Sequence, residues 1–325
     1  MEAGVMKVLQ PYLVMQQPPD GESYYSVCEA GLRELALLWE RPLREVMIVC
    51  LEEGIWPERL RANRGAFSDA EQARLLGSHA AVIGLGGLGG TVTLTLGRLG
   101  VGELVLVDGD NFEESNLNRQ LLATTKTLGR GKAEVAARAL SQVSPVVSAR
   151  VHQAWADEDN LPRLLEDCAV AVDCLDSLTG RYVLQEAACQ AGIPLVHASV
   201  AGLEGMLMVI RPGDPGLKAL YGPDPVSKNV FAEVFLGVPA MTPAVIGNFQ
   251  ANEAVKLLLD RPALASGVAL HLDLEILVLE RLELQQRGAR LAGAALTQAG
   301  WCRTDRPRSA HPFKGRDSLW GVDDA

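Results

Sequence analysis

No C-x-x-C pair occurs among the six cysteines, which stand at positions 28, 50, 168, 174, 189 and 302. That absence excludes a zinc ribbon and offers no disulfide framework, so no structural zinc is expected and the thiols are read as reduced. Cys174 and Cys189 sit in apolar surroundings and are expected to pack as small hydrophobes in the core. A surplus of positive charge is also missing. The formal net charge of -10 argues against a surface that tracks a phosphate backbone, so nucleic acid is not an expected partner. A small anion in a local basic site remains compatible with it. The opening "MEAGVMKVLQPYLVMQQPPDGE" lacks a basic stretch followed by a sustained apolar one, so no export signal is read and a cytoplasmic location is expected. Residues 80–97 carry no charge, but six glycines and three threonines make a poor membrane helix. A strand, a glycine loop and a helix account for them better, and no membrane partner is expected.

What is present suits a globular protein: 325 residues, 48% hydrophobic and 22% charged, enough for one large domain or two smaller ones. Residues 1–60 read as a helical extension. Ser26 and Glu29 have capping-box spacing ahead of Leu32, Leu35 and Leu38, and a second helical stripe runs through Leu43, Val46, Met47, Cys50 and Leu51 to Gly54. From residue 79 short runs rich in Val, Ile and Leu ("HAAVIG", "ELVLVD", "VVSARVHQ", "AVAVDC", "PLVHAS") alternate with helical patterns at 131–142, 158–167 and 178–191. The alternation predicts an α/β, Rossmann-like doubly wound, mainly parallel sheet. "MLMVIRP" and "VALHLDLEILVLERLEL" add C-terminal antiparallel strands, separated from each other by a helix at about 243–259. Three regions are expected: the extension at 1–60, a nucleotide-binding domain at 61–284, and a tail at 285–325. The histidines at 79, 152, 197, 271 and 311 show no ligand spacing and read as surface or satisfied strand residues.

"VIGLGGLG" places Gly84, Gly86 and Gly89 in G-x-G-x-x-G spacing directly after a strand and at the start of a helix. The first glycine permits the tight turn, the second lets a phosphate approach, the third allows close helix packing, and the helix N-terminus favours an anion. Asp108 ends the next strand, where a carboxylate can bind ribose hydroxyls. These features fit NAD, FAD and ATP equally. The stretch "VLVDGDNFEESNLNRQLL" at 105–122 separates them. A redox dinucleotide keeps its pyrophosphate intact, whereas an enzyme that breaks ATP must stabilise charge developing on the phosphates. Arg119 offers a guanidinium fork for that task, Asn116 and Gln120 can orient ligand or loop, and Lys132 sets an ammonium at the start of the following helix. Asp176, at the end of the fourth strand, can hold a magnesium ion bridging phosphates.

With these residues in view the chain resembles the ThiF/MoeB/HesA adenylyltransferases, which share their fold with ubiquitin-activating enzymes. The resemblance covers about 61–284. It rests on "GLGGLG" at 84–89, which includes Gly87, "DGD" at 108–110, which includes Asp110, "SNLNRQ" at 115–120, "GRGKA" at 129–133, "DCLDS" at 173–177 and "GVPAMTPAVIGNFQANEAVKLLL" at 237–259. It implies ATP over the glycine loop, ribose on Asp108, phosphates on Asn116, Arg119 and Lys132, and Mg²⁺ on Asp176. It further implies a homodimer in which Arg64 of "RANRG" reaches the neighbouring subunit's γ-phosphate; Gly65 stands where the family usually has glutamine. The substrate it implies is a small β-grasp sulfur-carrier protein ending in Gly-Gly, serving thiamin, molybdopterin or a related sulfur pathway.

Two departures shape the expected chemistry. Many family members carry two C-x-x-C pairs for zinc, and many use a cysteine in the crossover segment after the fifth strand for a covalent link. No cysteine occurs between Cys189 and Cys302. The expected reaction therefore stops at the adenylate, with a separate protein donating sulfur. The competing readings are adenylation of a peptide or tRNA-linked carboxylate, a nucleotide-binding adaptor without catalysis, and NAD oxidoreduction.

Overall fold

The computed structural model describes residues 5–18, 21–223 and 236–284. The tail expected at 285–325 and much of the crossover segment lie outside the described residues. An eight-stranded sheet organises the protein, in the order β11-β10-β9-β8-β7-β4-β5-β6. Strands β4 (His79–Ile83), β5 (Glu103–Val107), β6 (Ser148–His152), β7 (Val170–Asp173) and β8 (Leu195–Ala201) run parallel. β9 (Glu204–Ile210), β10 (Val268–Asp273) and β11 (Val278–Glu283) extend the sheet antiparallel. The doubly wound sheet with added antiparallel strands is thus the observed architecture.

Burial on both faces explains why the strands read as continuous apolar runs. Alternate residues point to opposite faces. Ala80, Val82, Leu104 and Leu106 join a core covered by α5 (Gly87–Leu99), α6 (Lys132–Val143) and α10 (Met241–Leu258). Their neighbours Ala81, Ile83, Val105 and Val107 face a second core under α7 (Leu161–Leu164) and α8 (Leu178–Gln190). α7 is shorter than the pattern at 158–167 suggests, because Pro162 sits in its first turn and Asp167 adopts a positive φ of 63° just beyond it. Cys174 is buried, but Cys189 is exposed on the outer face of α8, so only the first packs as expected. Among the described residues no helix is long and apolar enough to cross a membrane.

Residues 5–63 contain the expected helices α2 (Glu29–Trp39) and α3 (Leu43–Glu52), preceded by a short α1 (Val5–Leu9). They also contain a three-stranded sheet, β1 (Leu13–Gln16), β2 (Tyr24–Val27) and β3 (Ile55–Pro57), which the helical reading leaves out. Ser26 belongs to β2 and binds Gln16, so the expected box with Glu29 does not form; Cys28 occupies the N-cap. A reciprocal box does form at α4 (Asp69–Gly77), between Ser68 and Glu71. The extension shares one core with the nucleotide-binding domain: Leu32, Leu35, Met47 and Trp56 pack in the same cluster as Leu75 and Leu76. Burying each such side chain contributes roughly 1.5–3 kcal/mol. Arg44 donates to the carbonyl of Gly102 at 2.6 Å and Trp56 Nε1 to Asp69 at 2.7 Å, so polar ties reinforce the join.

The box at α4 is stapled to the chain leaving α10. Arg261 Nε and Nη2 reach the two Glu71 oxygens at 2.6 and 2.7 Å. That guanidinium, with help from Ser68, lowers the Glu71 pKa from 4.5 to about 2. A depressed folded-state value means the stabilisation is fully present above about pH 4.5 and is lost as pH falls through about 2. Glu71→Gln is expected to cost about 1 kcal/mol at pH 7, a value discounted for solvent screening, and the difference from wild type should close in acid. Urea unfolding midpoints at pH 7 and about pH 1.5, below the folded-state value, would measure both.

Candidate active site

The C-terminal ends of the parallel strands form one rim, where open α/β sheets bind ligands. At its centre β4 turns through Gly84, with φ at +91°, into the first turn of α5. A Cβ on Gly84 would lie 2.5 Å from the Cys174 carbonyl oxygen, and one on Gly89 would lie 1.9 Å from that of Gly84. Both positions therefore require glycine, for conformation at the first and for backbone contact at both. The consequence is a bare loop that lines a cleft at a helix N-terminus.

Asp108 closes one side of that cleft. Its carboxylate accepts the Leu85 amide at 2.7 Å on Oδ2 and the Asp110 amide at 2.8 Å on Oδ1. Burial raises its pKa, opposed by the two amides and by Lys132. Each oxygen retains acceptor capacity for a ribose hydroxyl. Lys132 is nearly buried and its Nζ bonds Asp110 Oδ2 at 2.9 Å, while its backbone amide donates to the Asp110 carbonyl at 2.9 Å. The acidic turn after β5 thus fixes both ends of the lysine, holding a cation against the cleft wall.

Cleft-lining residues include Gly84, Gly86, Gly87, Asp108, Asp110, Arg119, Gln120, Lys132 and Asp176. Nine residues singled out from sequence, spread over 93 positions, thereby meet around one space. Arg119 uses only Nη1 in bonds among the described residues, to the Ser115 carbonyl and Asn118 Oδ1, both at 2.9 Å. Its Nε and Nη2 are left for an anion. Gln120 Oε1 is buried without a donor among the described residues, which marks an acceptor awaiting a ligand N–H or O–H. Asp176 is exposed at the rim and makes no bond among the described residues; the cap of α8 is Ser177, which accepts the Gly180 amide. One free carboxylate facing a polyanion site suits Mg²⁺, which takes few protein ligands and fills its shell with phosphate and water.

Three residues lie elsewhere. Asn116 is buried behind the wall, where its Oδ1 accepts the Glu113 amide at 3.0 Å and shapes the loop that carries Arg119. Gly89 is at the helix–strand contact and not on the cleft surface. Arg64 is exposed and stacks over the Tyr24 ring at 3.9 Å.

Two cleft residues went unread in the sequence. Arg181 is buried, and its Nε and Nη2 both donate to the Leu175 carbonyl, at 2.9 and 2.7 Å, bracing the turn before Asp176. Trp155 is 67% exposed and lies flat enough against Gly109 that a Cβ there would meet the ring at 2.7 Å. An aromatic three residues beyond the end of β6, on the ligand-binding rim, was the available signal.

The ThiF family model matches residues 60–289. The chain belongs to the ThiF family. It is 37% identical over 202 residues to the SAMP-activating enzyme E1 of Haloferax volcanii, covering 62% of this chain and 75% of that protein. It is 36% identical over 188 residues to the sulfur carrier protein ThiS adenylyltransferase of Escherichia coli, covering 58% and 74%. Among solved structures, E. coli MccB with MccA-N7isoASN shares the fold with a TM-score of 0.60 at 19% identity, over 70% of this chain and 72% of that one.

A large exposed indole beside the cleft is suited to stacking on a base, an interaction worth about 1–3 kcal/mol. ATP is expected to quench part of the tryptophan emission, and Trp155→Ala should abolish that quench and weaken ATP binding about tenfold by calorimetry.

Proposed function

We propose that this adenylyltransferase of the ThiF family activates the C-terminal glycine carboxylate of a small β-grasp sulfur-carrier protein of the ThiS/MoaD type. The observation that carries the reading is the convergence on the glycine-loop cleft of Lys132, Arg119 and Asp176, the last without a bond among the described residues. A carboxylate oxygen of the carrier attacks the α-phosphorus of ATP, and the α–β bridging oxygen departs with pyrophosphate. The product is a carrier acyl adenylate.

Nucleophile and target are both anionic, so the protein must supply positive charge where they meet. A unit charge 4 Å away is worth about 4 kcal/mol at an effective dielectric near 20. Lys132 and Arg119 stand on the wall in place to do this, held by Asp110 and by the 115–118 turn. Backbone amides at the start of α5 bind phosphate oxygens, and Asp108 takes the ribose. Mg²⁺, held by Asp176, would offset charge on the departing phosphates. The thioester or persulfide step common in the family lacks its crossover cysteine, because residues 190–301 contain none. The protein releases an adenylate, and a separate donor brings sulfur.

Lys132→Ala and Arg119→Ala are each expected to slow carrier-stimulated ATP–pyrophosphate exchange by roughly 10²–10³-fold, the usual effect of one preorganised electrostatic group. Wild-type exchange in either variant removes the assignment. Nucleotide binding without exchange, whatever carrier ending in Gly-Gly is supplied, points to an adaptor.

We place the protein in the cytoplasm as a homodimer, with Arg64 of one subunit serving the other's γ-phosphate. The cation–π contact with Tyr24 supports this role by holding an exposed arginine in one place. If Arg64 acts across subunits, mixing the inactive Arg64→Ala and Lys132→Ala proteins should restore up to about a quarter of wild-type exchange, since random pairing leaves one intact site in half the dimers. No recovery on mixing assigns Arg64 to its own subunit.

A second reading, adenylation of a peptide carboxylate, has one observation in its favour. Among the described residues β1 is an edge of the small sheet and exposes Val14 and Met15 at 54% and 52%. Such an edge can pair with an extended peptide.

A further inference from the structure

Behind the Asp176 turn lies a buried polar chain to which the chemistry above gives no task. Asp173 and His197 are both 0% exposed, lie side by side on β7 and β8, and bond through Oδ2 and Nδ1 at 2.7 Å. His197 Nε2 is 3.1 Å from the Tyr221 hydroxyl, which is 2.9 Å from Ser199 Oγ. Tyr221 closes α9 (Leu217–Tyr221). The other Asp173 oxygen, Oδ1, accepts the Leu175 amide at 3.0 Å.

Donors and acceptors run one way along this chain. The Asp173 carboxylate only accepts, so His197 Nδ1 carries the proton. Burial lowers the His197 pKa, opposed by Asp173, so the ring is neutral and Nε2 accepts from Tyr221. Tyr221 in turn accepts from Ser199. The chain ends on the peptide amide one residue before Asp176. Arg181 grips the carbonyl of the same residue from the opposite side. Leu175 is therefore clamped at both its N–H and its C=O, and the next side chain is delivered to the cleft rim.

We propose that the Asp173–His197–Tyr221 chain is a positioning device for Asp176, which links the attachment of α9 to the affinity of the cleft for magnesium-bound nucleotide. The inference rests on the ATP reading of the cleft. A buried polar chain that served only the core would be replaceable by apolar side chains of similar volume, and its loss would act on stability alone. A positioning chain must act through Asp176 and be silent once that carboxylate is gone.

The decisive experiment is a double-mutant cycle in the full-length protein, read as KM and kcat for Mg·ATP in pyrophosphate exchange together with the Mg·ATP dissociation constant and the thermal midpoint. His197→Ala is expected to raise KM and the dissociation constant about tenfold with kcat changed less than threefold. His197→Asn keeps an N–H near the Nδ1 position and should recover most of that loss, while Tyr221→Phe should weaken binding about threefold. In an Asp176→Ala background, His197→Ala should have no further effect on Mg·ATP affinity, because coupled residues are not additive. Additive effects, or unchanged affinity in folded His197→Ala and Tyr221→Phe proteins combined with a lowered midpoint, would overturn the proposal and leave the ATP reading intact. Should His197→Ala fail to fold, Tyr221→Phe, with its threefold loss expected to vanish in the Asp176→Ala background, closes the cycle. A wild-type protein that binds no Mg·ATP eliminates both readings.

Discussion

The Asp108 carboxylate joins the two halves of the site. One oxygen takes the amide of Leu85 in the glycine loop and the other takes the amide of Asp110 in the following acidic turn. Asp110 then fixes Lys132 through both its side chain and its carbonyl. Three segments far apart in sequence are thereby referred to a single anionic group at the end of β5. Charge-assisted bonds of this kind are short and directional, so they set positions as well as energies. The cost is a carboxylate kept partly from water, which the two amides and the nearby ammonium offset.

Much of this was readable because it depends on local pattern. Short continuous apolar runs made the five parallel strands visible, and the glycine positions follow from backbone contacts too close for any side chain, as at Gly84 and Gly89. The polar knot at 115–120 also located its residues well, although Asn116 turned out to hold the loop from behind while Arg119 and Gln120 face the cleft. What escaped was non-local or very short. His197 and Asp173 are 24 residues apart and meet only because β7 and β8 pair in register. Arg181 looks like an ordinary helical residue until α8 is folded back against the Leu175 turn. The strands of the small sheet span only three or four residues each, too few for alternation to declare itself, and Ser26 imitated a helix cap while serving as a buried strand residue.

Charges in the cleft are arranged as balanced sets. Among the described residues Lys132 is countered by Asp110 and Arg119 is braced by neutral oxygens, while the Asp176 carboxylate at the rim makes no bond. On the proposed reading, a nucleotide with its metal would complete this pattern instead of confronting a block of bare cations. The overall acidity of the chain does not oppose it, since the relevant field is set within a few ångströms of the glycine loop.

The extension ahead of the family-matched region is welded into the domain at Trp56, Arg44 and Gly102. A boundary drawn where the family match begins, at residue 60, would cut through the middle of an oil drop. A chain shortened there would present Leu75 and Leu76 to water, lose the aromatic ring beneath Arg64, and become a sticky fragment instead of a minimal enzyme.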